Sequence, residues 1–304
     1  MKAKTIEQIL RGSFAKFLKS ITDENVRKLV KENSIITGGA IVSLIQNEEV
    51  NDFDIYFTNK ETVIAVCNYY KDLLIKEDMS FEMIRVEQVA DAHGNIQPDS
   101  GRVKFFIPSN GIRKINTTGK KYYPAVVTDN AISLTNKFQL IIRFYGPAAE
   151  IHKNYDFVHV RSYWLSKDGN LYLNPNSLEC ILTKELRYIG SLYPLASLFR
   201  LRKFLSRGWT ISAGDIFKIA FQVSKLNFTD PMTIYDQLIG VDIHYFQYMI
   251  FRIQEDLKSG SIKEVDQDYL SKLIDEIFHS SEEYKVDEYL SRSDNEEETV
   301  KSEE

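Results

Sequence analysis

The stretch ITGGAIVSLIQNEEVNDFDIYF, residues 36–57, decides the fold. With the two residues before it, its opening gives SIIT, a short apolar run that reads as a strand. Gly38–Gly39 break that run as a turn, AIVSLIQ has the length and pattern of a short helix, and DFDIYF reads as a second strand. Twelve residues separate Gly39 from Asp52. Residues two apart in a strand point to the same side, so Asp52 and Asp54 project together, about 6–7 Å apart. Two close carboxylates repel each other unless they are protonated or neutralised. A hard cation such as Mg²⁺ neutralises such a pair, because it takes one or two carboxylates together with phosphate oxygens. The glycine pair supplies a second part: without Cβ atoms the backbone approaches a triphosphate closely, and the following helix points free N–H groups at it. Metal ions held this way align an attacking oxygen with a leaving pyrophosphate, which is what nucleotidyl transfer requires. An Asp-x-Asp or a Gly-Gly alone is common on protein surfaces; the strand–turn–helix–strand order joins them into one signal.

Outward from this stretch, residues 4–20 place Ile6, Ile9, Leu10, Phe14, Phe17 and Leu18 at helical spacing, and Thr22 or Asp23 is placed to cap a second helix ending near Asn33. Downstream, KETVIAVCNYYKDLLI reads as a helix and SFEMIRVEQVA as a strand. RVKFFI and PAVV read as hairpin strands inside an irregular segment, residues 91–128. AISL and FQLIIRF give two more strands, PAAEIHK a short helix, YDFVHV a strand, and SYWLSKDGNLYL a hairpin around Asp168–Gly169. After Pro175 the pattern is helical: about 176–189, 194–207, 213–226, 242–258 and 266–279. The expected fold class is therefore α+β, a mixed-sheet domain followed by an all-helical domain. The parts expected are N-terminal helices (1–33), a catalytic sheet domain (34–173), a helical domain (174–280) and an acidic disordered tail (281–304).

Composition narrows the classes. The chain of 304 residues is 43% apolar and 27% charged, an ordinary soluble mix with room for a sizeable core. Apolar runs fall short of a membrane span, and the N-terminus lacks the apolar core of a secretory signal, so a cytoplasmic location is expected. Two cysteines, Cys67 and Cys180, exclude a disulfide framework and a cysteine-based zinc site. The net charge of −5 is uneven: residues 281–304 hold ten acidic and three basic residues, which is −7, so the rest carries +2. That tail has too little apolar surface to fold alone.

The segment GGAIVSLIQNEEVNDFDI resembles the nucleotidyltransferase signature of the DNA polymerase β superfamily, and most nearly that of class II tRNA CCA-adding enzymes and bacterial poly(A) polymerases. That family reads Gly-Gly-x-Val-Arg-Asp and then Asp-x-Asp at similar spacing. The resemblance implies a template-independent nucleotidyltransferase with Mg²⁺ as cofactor, a nucleoside triphosphate as donor and, as acceptor, an RNA, tRNA-like, 3′ end; a hydroxyl on a protein or small molecule stays open as the alternative acceptor. Asp52 and Asp54 would be metal ligands, and Gly38 and Gly39 the phosphate loop. The family's Arg-Asp falls on Val42–Ser43, which leaves Ser43 as the candidate at a nucleotide-binding position. YDFVHVRSY resembles the family's Arg-Asp-Phe-Thr-Ile-Asn segment and makes Asp156 the candidate third carboxylate, for metal and catalysis. YPLASLFRLRKFLSRGWTI resembles a third family segment. On a helix it sets Leu198, Leu201 and Leu205 on one side and a basic stripe of Arg200, Lys203 and Arg207 on the other, candidates for contacting nucleotide or RNA backbone. No base-reading Glu-Asp-x-x-Arg element is present, so the nucleotide is left open. Segments such as FQLIIRFYGPAAEIHKNYDFVHVRSYW also resemble nucleotidyltransferase-like proteins of tailed phages, which implies the cytoplasm of an infected bacterium.

Two other readings stay open: a nucleotide- or RNA-binding module that has lost catalysis, and a phage host-interaction protein. His152 and His159 are expected to be satisfied surface or core histidines. The segment 109–121, with Arg113, Lys114, Lys120 and Lys121, is expected to be a solvated loop. Tyr122 and Tyr123 are expected to serve packing.

Overall fold

The computed structural model describes residues 1–77, 85–89, 102–106, 112–114, 117, 119–228, 233, 237 and 243–279. The tail from residue 281 and much of the irregular segment 91–128 lie outside these residues. The chain divides into two compact units, Met1–Ile189 and Gly190–Glu304.

The helices of the first unit and its strand–glycine–helix–strand order follow the patterning. Helix α1 (Ala3–Ser20) buries Ile6, Leu10, Phe14 and Phe17, its apolar stripe. Asp23 caps α2 (Glu24–Asn33) by accepting the Val26 N–H at 2.9 Å. Strand β1 (Ser34–Thr37) leads through Gly38 into α3 (Gly39–Gln46) and then β2 (Phe53–Phe57) and α4 (Lys60–Glu77). Strands β3 (Arg85–Val89) and β4 (Arg102–Phe106) pair with each other as a separate ribbon. Then follow β5 (Ile112–Lys114), β6 (Pro124–Thr128), β7 (Ala131–Leu134), β8 (Phe138–Tyr145), α5 (Ala148–Ile151), β9 (Tyr163–Leu165), β10 (Asn170–Tyr172) and α6 (Pro175–Thr183).

Among the described residues, eight strands form one mixed sheet in the order β10-β9-β1-β2-β8-β7-β6-β5. The β2–β8 pair is parallel and the other pairings are antiparallel. The expected mixed-sheet domain is thus present, and so is the helical region after it. One face of the sheet carries the main core, where Ile36, Phe53, Ile55, Phe57, Phe138 and Trp164 meet α1, α3 and α4. Phe17 stacks on Phe138 at 5.3 Å, and Phe14 meets the Trp164 edge at 5.3 Å, so the N-terminal helix belongs to this core. The other face has a thinner cover of Ala148 and Ile151 over Ile35, flanked by Tyr56, Tyr155 and Tyr163.

Two expectations are corrected. YDFVHV is not a strand: Asp156 sits in a bend, Phe157 makes a single bridge to Tyr188, and Val158–Val160 is a 3₁₀ turn. Phe157 and Val158 are both buried, which a strand covered on one face does not allow. Strand β2 begins at Phe53, one residue later than read, so Asp52 lies just outside it. RVKFFI and PAVV are antiparallel strands as expected, the first paired with β3 and the second with β5 and β7.

The second unit is helical, with α7 (Pro194–Leu205), α8 (Ala213–Val223) and helices Ile243–Ser259 and Gln267–His279. Leu195 and Phe199 of α7 pack with Met249, Ile253, Leu270 and Leu273. No helix among the described residues is long and apolar enough to cross a membrane.

Candidate functional site

Gly38 has φ +85° and ψ −149°, a backbone region open essentially to glycine alone. This conformation turns the chain from β1 into α3 and lays the glycine against Asp54. A Cβ built on Gly38 would stand 3.2 Å from Asp54 Oδ2 and 3.6 Å from the Tyr155 hydroxyl. A Cβ on Gly39 would meet nothing within 4 Å. The first glycine is therefore demanded by the fold, while the second leaves space at the start of a helix that no protein atom fills.

Register explains the placement. Asp54 on β2 is the partner of Thr37 on β1, Thr37 is the partner of Tyr163 on β9, and Tyr163 is the partner of Tyr172 on β10. On the other side Asp54 is the partner of Gln139 on β8. The alternation of buried and half-buried residues along β2 puts Asp54 and Tyr56 on the face away from the main core. Asp52 is exposed just before the strand and Asp54 is half-buried.

Thr37 anchors a buried hydrogen-bond network. Its Oγ1 donates to the Ser162 carbonyl at 2.9 Å, with the Val160 carbonyl at 3.4 Å. It lies 2.9 Å from His152 Nε2. A hydroxyl has one hydrogen, so with carbonyls taking it, Thr37 accepts from His152 Nε2–H, which fixes the tautomer. Burial, reinforced by the Arg161 charge, lowers the His152 pKa to about 4, so the ring is neutral at pH 7. The Tyr155 hydroxyl is held well above its ordinary range by burial first, then by Tyr56 and the Asp54 charge, so it stays protonated.

Beyond Thr37 the same face opens into a cleft of about 500 Å³, lined by His152, Lys153, Arg161, Tyr163, Tyr172 and Asn174 among others. The rings of Tyr163 and Tyr172 stack at 4.8 Å with an interplanar angle of 10°. Sequence reading missed Thr37, Arg161, Tyr163 and Tyr172, since only strand register brings them together. His152 and His159 are both buried, as expected.

Asp156 is 5% exposed and lies beside His159, whose pKa burial lowers to about 4 against the opposing pull of Asp156. Among the described residues no group of three or more His, Cys, Asp or Glu side chains is gathered to hold a metal ion. Asp52, Asp54 and Asp156 therefore do not form a three-carboxylate cluster here. Ser43 is half-buried midway along α3, and its carbonyl accepts the Glu48 N–H at 2.8 Å. Tyr122 and Tyr123 pack: Tyr122 meets Phe138 edge-on at 5.4 Å, and Tyr123 is 8% exposed.

Arg200, Lys203 and Arg207 belong to the second unit. Arg200 is half-buried and Lys203 exposed on α7, while Arg207 is exposed past the helix end. The expected apolar side is corrected: Leu198 and Leu205 are exposed, and the buried contacts come from Leu195, Phe199 and Leu201.

A family profile described as Gad2, Gabija anti-defense 2 family protein, matches residues 8–184. The chain belongs to the Gabija anti-defense 2 family. The matched span runs from α1 through α6, and so holds Gly38, Asp54, Asp156 and the tyrosine cleft but none of α7. A curated relative named Gabija anti-defense 2, from Bacillus phage SPbetaL7, is 23% identical over 221 residues, which are 72% of this chain and 44% of the relative. This Gabija anti-defense 2 family member thus spans less than half the length of that relative. Among solved structures, the Thermotoga maritima CCA-adding enzyme complexed with tRNA is similar at a TM-score of 0.36 and 11% identity, over 79% of this chain and 53% of that one. The Bacillus stearothermophilus CCA-adding enzyme in complex with CTP gives 0.36 and 14%, over 77% and 50%.

Proposed function

We propose that this family member is a phage anti-defense protein that works by nucleotidyl transfer, moving a nucleoside monophosphate from a triphosphate to an acceptor. The observation that carries this reading is the close approach of the Asp54 carboxylate to Gly38, 3.2 Å from where a Cβ would stand, with open space at Gly39 beside it. A phosphate seated on the Gly38–Gly39 turn would lie directly against that carboxylate, where a cation must intervene for both to be held. Asp54 on β2 and Asp52, exposed just before that strand, are hard oxygen donors, and they fit Mg²⁺ when the substrate's phosphate oxygens complete its shell. When bound, that ion supplies charge neutralisation of the phosphates and of the leaving pyrophosphate.

The chain's own residues do the rest. Gly38–Gly39 and the first N–H groups of α3 bind the phosphates, and the helix N-terminus favours their charge. Thr37, locked by Ser162 and His152, holds β1 in register so that the turn and Asp54 stay together. Tyr155, protonated and beside Gly38, walls the turn. Ser43, Asp156, Arg200, Lys203 and Arg207 remain proposed contributors to nucleotide binding or catalysis, with an RNA 3′ end as the proposed acceptor in the host cytoplasm.

A second reading is a nucleotide-binding module without catalysis. Gln139, an amide, stands opposite Asp54 where a neighbouring strand would offer another carboxylate, and Val42–Ser43 replace an Arg-Asp pair. Incubation with labelled nucleoside triphosphates, Mg²⁺ and either host RNA or the components of the Gabija defence separates the two. Transfer of label that disappears when Asp52→Asn and Asp54→Asn are combined supports the enzyme. Triphosphate binding with no transfer by either protein supports the module.

A further inference from the structure

The cleft on the β9–β10 edge of the sheet carries Arg161, whose charge is not answered by a carboxylate among the described residues. Arg161 donates from Nη2 to the His152 carbonyl at 3.0 Å, and its Nε is buried without a hydrogen-bond partner. No carboxylate pairs with Arg161 among the described residues, whereas neighbouring Lys153 is bound to Glu150 at 2.7 Å. Burial lowers the Arg161 pKa. A half-buried guanidinium without a counter-ion is costly unless a ligand supplies the anion. His152, neutral and fixed by Thr37, adds no competing charge.

The same cleft carries an aromatic platform. Tyr172 is 38% exposed, stacked on Tyr163, and pinned by donating its hydroxyl to Asp168 at 2.5 Å. An exposed, immobilised ring beside an unanswered guanidinium matches a planar base joined to a phosphate. We propose that this cleft binds a phosphate-bearing nucleoside, with the phosphate on Arg161 and the base on Tyr172. With neighbouring strands about 4.8 Å apart, Tyr163 and Tyr172 stand about 10 Å and about 14 Å along the sheet from Asp54. The ligand is either a free nucleotide or the terminal nucleotide of a single strand. Its role as donor or acceptor subsite rests on the transfer reading; its binding does not.

The test measures binding of fluorescent adenosine monophosphate and of a labelled short oligoadenylate in the presence of a chelator, so that no divalent ion at Asp52 and Asp54 contributes. Arg161→Ala is expected to weaken binding about tenfold or more, with Arg161→Lys retaining part of it. Tyr172→Ala is expected to weaken it about tenfold, and Tyr172→Phe to restore it, since the ring and not the hydroxyl stacks. Tyr172 is exposed enough for its variants to fold even where Arg161→Ala disturbs the His152 contact. Comparable affinity for both probes assigns the cleft to a free nucleotide, and oligoadenylate binding alone assigns it to a strand end; both support the site. No binding by the native protein, or equal binding by native protein, Arg161→Lys and Tyr172→Ala, overturns it. Loss of transfer activity with this binding intact would refute the transfer reading and leave the cleft standing.

Discussion

Thr37 and Asp54 stand opposite each other across the β1–β2 ladder, and the Thr37 hydroxyl is locked to Ser162 and His152 behind them. The ladder partner of Asp54 thus has its own hydroxyl taken up inside the protein. Thr37→Val keeps the shape but leaves the buried His152 N–H without its acceptor, so unfolding free energy should fall by about 1–3 kcal/mol. Thr37→Ser should recover most of it. Urea denaturation of the three proteins checks this, and equal midpoints would contradict the assigned network.

The two glycines should respond differently. Gly38→Ala forces a side chain into φ +85° and toward Asp54, so a loss of about 1–3 kcal/mol is expected. Gly39→Ala enters open space at a helix start and should leave stability unchanged or raised by up to about 1 kcal/mol. A fall in triphosphate affinity in Gly39→Ala at unchanged Tm would mark the empty space as ligand space. Unchanged affinity would remove that role.

Acid should destabilise the first unit through its buried histidines. His152 and His159 take up a proton near pH 4 when folded but near 6.5 when unfolded. The unfolded chain therefore binds more protons between these values, so stability is greatest above pH 6.5 and falls as pH drops toward 4. The loss is of the order of 2–3 kcal/mol for each ring. His152→Gln should flatten this fall by about one proton in the slope of stability against pH; an unchanged slope would contradict the assignment.

The N-terminal helix should be structural to the sheet domain. Phe17→Ala opens a cavity beneath Phe138 and is expected to cost about 3–5 kcal/mol, read as a shift in denaturant midpoint. A loss under 1 kcal/mol would mean that α1 packs elsewhere.

Much of this was legible in the chain itself. The helix stripes, the β1–glycine–α3–β2 order and the Asp168–Gly169 hairpin follow from local periodicity and turn chemistry, which neighbouring residues determine. What escaped depends on contacts between distant segments. YDFVHV has strand-forming residues, yet Phe157 and Val158 are both drawn into apolar surroundings, and the chain coils into a 3₁₀ turn to bury them. That bend takes Asp156 to His159. On α7, Phe199 rather than Leu198 faces the core because Met249 and Ile253 lie there, and no local spacing reveals those partners. Arg161 and the paired tyrosines looked like scattered residues until β9 was set beside β1.

The central claim is that Asp54, held against the Gly38 turn, serves phosphoryl chemistry. Its most direct test is the rate of nucleotide transfer by Asp54→Asn in Mg²⁺, with thermal unfolding recorded on the same samples. A loss of two orders of magnitude or more at native Tm is predicted. Transfer at the native rate by a folded Asp54→Asn protein would contradict it.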